Sequence, residues 1–124
     1  MIDVVRKIIY SSFEGELNDE DILTHGTMLK HHPEFNPDFS EIVDFRKITR
    51  INVTVQFINS MAKSPSLFKP SSRHAVIAPH DLIYGIGRMY QMLAEETRPN
   101  MAVVRTLEEA CKFLGIDSAG FAGS

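Results

Sequence analysis

The chain has no tryptophan and a single cysteine, Cys111. One thiol cannot form an intramolecular disulfide, so a reducing, cytoplasmic setting is the expectation. There is no basic excess: 13 Lys and Arg face 16 Asp and Glu, for a net charge of -3. That argues against general nucleic-acid binding, which needs concentrated positive charge to release counterions. No apolar run approaches the roughly 20 residues of a membrane helix, so no transmembrane segment is expected. The opening Met1-Ile2-Asp3-Val4 lacks the charged-then-apolar pattern of a secretion signal. Without such a signal, the glycosylation match at Asn52-Val53-Thr54 carries little weight.

What is present is an ordinary globular composition, 44% hydrophobic and 23% charged over 124 residues. This is a one-domain length with enough apolar material for a core. Four apolar runs read as strands: Val4 to Phe13, Ile42 to Phe45, Ala75 to Ala78, and Met101 to Val104. The last three are short and nearly continuous in apolar residues, which suits strands buried on both faces of a parallel sheet.

Helical periodicities lie between them. Asn18 is placed to cap a helix that opens with Asp19, Glu20 and Asp21, with Ile22, Gly26 and Leu29 on one face. A second helix follows Asn52, with Val55, Ile58, Met61 and Ala62 inward. A third carries Leu82, Ile83, Ile86, Met89, Tyr90 and Leu93 at helical spacing. The fourth opens on Thr106-Leu107-Glu108-Glu109, a capping box, and closes at Gly115. Strand and helix alternate throughout, which predicts the α/β class: a four- or five-stranded, mainly parallel sheet flanked by helices. The expected domain runs from 1 to 115, and the small, Gly-rich residues 116 to 124 form a tail expected to fray.

Several stretches taken together resemble the SpoIIAA-like bacterial proteins, whose fold is related to STAS domains. They are Pro33 to Phe39, Ile42 to Arg46, Ala75 to Pro79, and Gly87-Arg88-Met89-Tyr90. The resemblance spans most of the chain, from Val4 to Gly115. It implies a STAS-type sheet flanked by helices. Through the related CRAL-TRIO lipid-transfer folds, it also implies a noncatalytic, regulatory or ligand-binding role. The expected ligand is small, amphipathic or lipid-like, with a regulatory protein as the alternative partner. STAS antagonists carry an Asp-Ser-Ser-Gly motif whose serine accepts phosphate from a kinase. Here Asn52, Val53, Thr54 and Val55 stand in those places, so only the Thr54 hydroxyl survives and no phosphoswitch is expected.

Two candidate sites follow from the residues. The first is an anion or phosphoacceptor site at the second helix's start, where Arg46, Arg50, Asn52 and Thr54 would face its unpaired N–H groups. The competing reading is a solvated loop with Asn52 as an ordinary cap. The second is a ligand crevice at the carboxyl ends of the strands. If the four strands are ordered 2-1-3-4, the crevice opens between strands one and three and gathers Phe13, Glu14, His80, Asp81 and Tyr84. The competing reading puts Phe13 and Tyr84 in the core and makes Asp81 a helix cap. An enzyme using His80 as acid or base in this crevice is the alternative from another class.

No catalytic residues, metal ligands or cofactors are expected. The five histidines, His25, His31, His32, His74 and His80, lack zinc spacing and are expected at the surface or at helix ends. Cys111 falls on the fourth helix's apolar stripe, where a thiol is inert. Gly85-Ile86-Gly87 lies inside a helix and suggests close approach of that helix to the sheet or a partner. Met89, Tyr90 and Met92 are candidates for an adaptable surface patch. A homodimer is expected, through an apolar helix face or an uncovered sheet edge.

Overall fold

A computed structural model describes residues 1 to 119. The elements in chain order are β1 (Ile2–Asp3), β2 (Ile8–Asn18), α1 (Asp19–Lys30), β3 (Ser40–Asn52), α2 (Val55–Lys63), β4 (His74–Ile77), α3 (Asp81–Leu93), β5 (Met101–Val104) and α4 (Leu107–Leu114). The five strands form one mixed sheet in the order β1-β2-β3-β4-β5. β1 runs antiparallel to β2, and each later pair is parallel.

Helix ends follow from local chemistry. The Asn18 side chain accepts from the Asp21 N–H, and three acidic residues fill that first turn. Thr106 and Glu109 complete the reciprocal capping box of α4. Gly115 ends α4 at φ +73°, a left-handed conformation that a side chain would strain. In α2 the cap is Thr54, which accepts from the Phe57 N–H, rather than Asn52, which remains in β3.

Alternation along the strands sends residues to two different layers. Ile8, Tyr10, Ile42, Ala75 and Ile77 pack with Ala110 and Cys111 of α4. Their neighbours Val43, Val76 and Val103 face the other side and pack with Ile22 of α1 and with Ile83 and Tyr84 of α3. The crossover helices therefore share one face, and α4 takes the other. Gly87 shows why α3 tolerates a glycine. A Cβ there would sit 3.0 Å from Cγ1 of Val103.

Several expectations need correction. The first strand does not begin at Val4. Residues 4 to 7 turn between β1 and β2, with Lys7 at φ 60° and Val5 fully in solvent. β3 extends well beyond Phe45. Val55 and Leu82, expected inward, are exposed. In the tail, Ile116 packs against the α4-side core, and the Arg6 guanidinium donates to the Ala119 carbonyl at 3.0 Å. The rest of that tail, 120 to 124, lies outside the described residues. Among the described residues no helix is long and apolar enough to cross a membrane.

Candidate functional site

The strand order decides the fate of the expected crevice. β3 lies between β2 and β4, so Phe13 and Glu14 do not adjoin His80, Asp81 and Tyr84 across a gap. Glu14 is exposed on β2. His80 is the N-cap residue of α3, and its side chain makes no capping bond. Asp81 caps nothing. It pairs with Arg105 at 2.9 Å, and the Arg105 guanidinium lies 3.9 Å from the centre of the Tyr84 ring. Tyr84 is half-buried against the α3-side core. Of the five residues, only Phe13 lines the cavity described below.

The expected anion site is not assembled either. Arg46 folds back onto Asp44, with Nη2 2.7 Å from Oδ2, and Tyr10 donates its hydroxyl to the same carboxylate. Tyr10 belongs to the α4-side core, so this network lies on the sheet face away from α2. Arg50 extends into solvent beside Glu16, 3.8 Å away. Asn52 pairs with Asn18 across the β2–β3 ladder. The Thr54 hydroxyl donates to Asp19 at 2.8 Å, so a phosphate there would meet a carboxylate.

The Tyr10–Asp44–Arg46 network is internally satisfied. Burial pushes the Asp44 carboxyl up, but hydrogen bonds from Arg46 and Tyr10 outweigh it and leave the group below its ordinary range. The Tyr10 hydroxyl is pushed up by burial and by the bond it donates to Asp44. Both shifts hold Asp44 ionised and Tyr10 protonated, a structural arrangement with no proton to exchange near neutrality.

An apolar concavity lies between the sheet and the crossover helices. It measures about 220 Å³. Sheet residues Val43, Phe45 and Val76 form its floor, and Ile22, Ile58 and Ile86 of the three helices form its roof. Val43 sits on the central strand yet is only half-buried, because the helix layer does not close on it. For comparison, an apolar cavity of about 150 Å³ is enough to hold a benzene ring.

Polar groups converge on this apolar body. The ladder places Glu41 beside His74, and His74 Nδ1 lies 2.9 Å from Glu41 Oε1. Phe68 meets the His74 ring edge-on at 4.9 Å. Tyr90 and Arg98 line the same space, with the guanidinium 5.7 Å from the ring centre. Burial pushes the Tyr90 hydroxyl up to about 12, so it remains a donor at neutral pH. His25 reaches in from α1 and stacks edge-on against Phe13 at 5.1 Å. Its Nε2 is buried with no hydrogen-bond partner, and burial drives the imidazole below its usual pKa, toward the neutral form.

Two histidines expected at the surface or at helix ends, His25 and His74, line the cavity instead, His74 buried and His25 half-buried. His25 was findable: it falls three residues after Ile22, on the stripe that Ile22, Gly26 and Leu29 define. The Glu41–His74 pair was not, because only the β3–β4 register brings the two together. Tyr90, expected with Met89 and Met92 in a surface patch, lines the cavity, while Met92 is exposed. Among the described residues, no group of three or more His, Cys, Asp or Glu could hold a metal ion. Comparisons with protein-family models, curated proteins and solved structures found no match for this chain.

Proposed function

We propose that this chain is a noncatalytic binding domain that holds a small amphipathic ligand between its sheet and the crossover helices, in a regulatory setting. One observation carries the reading. A cavity of about 220 Å³ exposes Val43 on the central strand and is lined by His25, whose Nε2 is buried without a hydrogen-bond partner. Tight packing is the norm for protein interiors, so a void of this size with an orphaned polar atom calls for an occupant. An apolar body with few convergent polar groups is the usual composition of small-molecule sites. The SpoIIAA-like resemblance, with its link to lipid-binding folds, points the same way as fold analogy.

The test uses 1-decanol, an apolar chain with a minimal polar end, titrated by calorimetry. The wild-type protein is expected to bind it at one saturable site. Val43→Phe fills the floor of the cavity and is expected to weaken binding by about ten-fold or more, equivalent to roughly 1.4 kcal/mol. Circular dichroism confirms that the variant is folded. Absence of saturable binding by the wild-type chain, or equal binding by folded Val43→Phe, overturns the proposal.

A further inference from the structure

Beside the apolar cavity lies a second concavity of about 210 Å³, lined by Arg88, Gln91, Glu95 and Pro99. The two spaces share Arg98 and Met101 as walls. An apolar chamber and a polar cleft therefore adjoin at Arg98 and Met101. Resting on the proposed ligand-binding reading, we propose that the ligand is an acidic amphiphile whose tail fills the apolar cavity. Its head, carrying both a negative charge and a hydrogen-bond donor, lies in the Arg88–Gln91–Arg98 cleft.

The charge requirement comes from the arginines. Arg98 is held by Nη1, which donates to the Ser64 carbonyl at 3.2 Å and to Thr97 Oγ1 at 2.9 Å. Among the described residues, neither Arg88 nor Arg98 forms an ion pair, although Glu95 lines the same cleft. A guanidinium held by one nitrogen, on the lining of both spaces and without an acidic partner among the described residues, is suited to a carboxylate.

The donor requirement comes from Gln91. Its Nε2 donates to the Met101 carbonyl at 2.8 Å, and its Oε1 is buried without a partner. Turning the amide over would set oxygen against oxygen at Met101, so the orientation is fixed by chemistry. The orphan is an acceptor on a residue that lines the cleft, and a small shift of the side chain would let an N–H or O–H on the ligand satisfy it. An N-acylated amino acid is the simplest class with an apolar chain, an amide N–H and one carboxylate.

Three probes of similar length separate the requirements: 1-decanol, decanoate and N-octanoylglycine, each titrated by calorimetry into the full chain. Affinity is expected to rise in that order, by about ten-fold at each step. Arg98→Met is expected to abolish the advantage of decanoate over decanol, and Arg98→Lys to restore part of it. Arg88→Met, at an exposed position, is expected to reduce the same advantage without touching the fold. Gln91→Met is expected to abolish the further gain of N-octanoylglycine. A flat series with decanol bound overturns this inference alone and leaves the cavity reading standing. Failure of all three probes to bind overturns both. Charge preference that survives Arg98→Met and Arg88→Met overturns the head-group assignment, and equal binding of decanoate and N-octanoylglycine overturns the donor requirement.

Discussion

The two faces of the sheet are built from alternating residues of the same strands, yet one is closed and the other hollow. On the α4 side, Ile42 and Ile77 are fully buried, and a charged group at depth, Asp44, is enclosed by Arg46 and Tyr10. On the crossover side, Val43 is half-buried and His25 carries an unpartnered nitrogen. The difference sets a face built for stability apart from the face that, on the proposed reading, serves binding. One face encloses its charge within a network, whereas the other pairs His74 with Glu41 but leaves the His25 nitrogen without a partner.

Adjacent residues of β3 give the sharpest contrast. Ile42→Ala should cost about 4 kcal/mol, because a fully buried isoleucine leaves a cavity behind. Val43→Ala should cost only roughly 1 kcal/mol, since its side chain already borders empty space. Urea unfolding of both variants checks this, and equal losses would erase the distinction between the faces. Asp44→Ala comes next. Removing the carboxylate takes away the buried acceptor that Arg46 and the Tyr10 hydroxyl share, for an expected loss of about 3 kcal/mol in the same assay.

The cavity side should respond in the opposite direction to added bulk. Gly26 lies in α1, lines the cavity, and has nothing within 4 Å of where a Cβ would stand. Gly26→Leu is expected to gain about 0.8 kcal/mol from helix propensity while weakening decanol binding. A variant that is less stable and binds as before would show that α1 is already closed on the sheet.

The smallest effect is a pH dependence. The folded pKa of His25 is lowered, chiefly by burial, so the unfolded chain takes up a proton before the native one does. Its contribution to stability is therefore fully present above the unfolded value of about 6.5 and is lost as pH falls through the depressed folded value. Thermal melts between pH 7 and 5 should show this loss in the wild type and a flatter profile in His25→Leu. Identical slopes would remove His25 from the account.

Legibility in the sequence followed from how local each signal was. The caps at Asn18 and Thr106 and the stop at Gly115 involve residues a few positions apart, and each was readable. The far half of β3, from Arg46 to Asn52, was not. It pairs with β2 alone, because β4 pairs only as far as Asp44, and a strand solvated this widely needs no apolar run. The crevice expectation failed on strand order, a long-range property that alternation of elements does not specify. The site itself is assembled from β2, β3, β4, the three crossover helices and the segment after α3, so its residues share a location but no sequence pattern. Phe13, expected in the crevice, is the one named site residue that lines the cavity, and the His25 position on an apolar stripe was the other part of it within reach of the sequence.

The neighbour-only strand order also bears on how the chain reaches its fold. Every strand hydrogen-bonds to the strand next to it in sequence, so no pairing must wait for a segment further along. Loop-closure entropy is met in small increments, one crossover at a time. The exception is α4, which must return to cover Ile8 and Tyr10 from the other end of the chain. We expect the parallel ladder to form in the folding transition state and α4 docking to come after it. Substitutions in β3 should then slow refolding, whereas Ala110→Gly in α4 should chiefly accelerate unfolding. Stopped-flow chevrons distinguish the two, and a refolding rate more sensitive to α4 than to β3 would reverse the order.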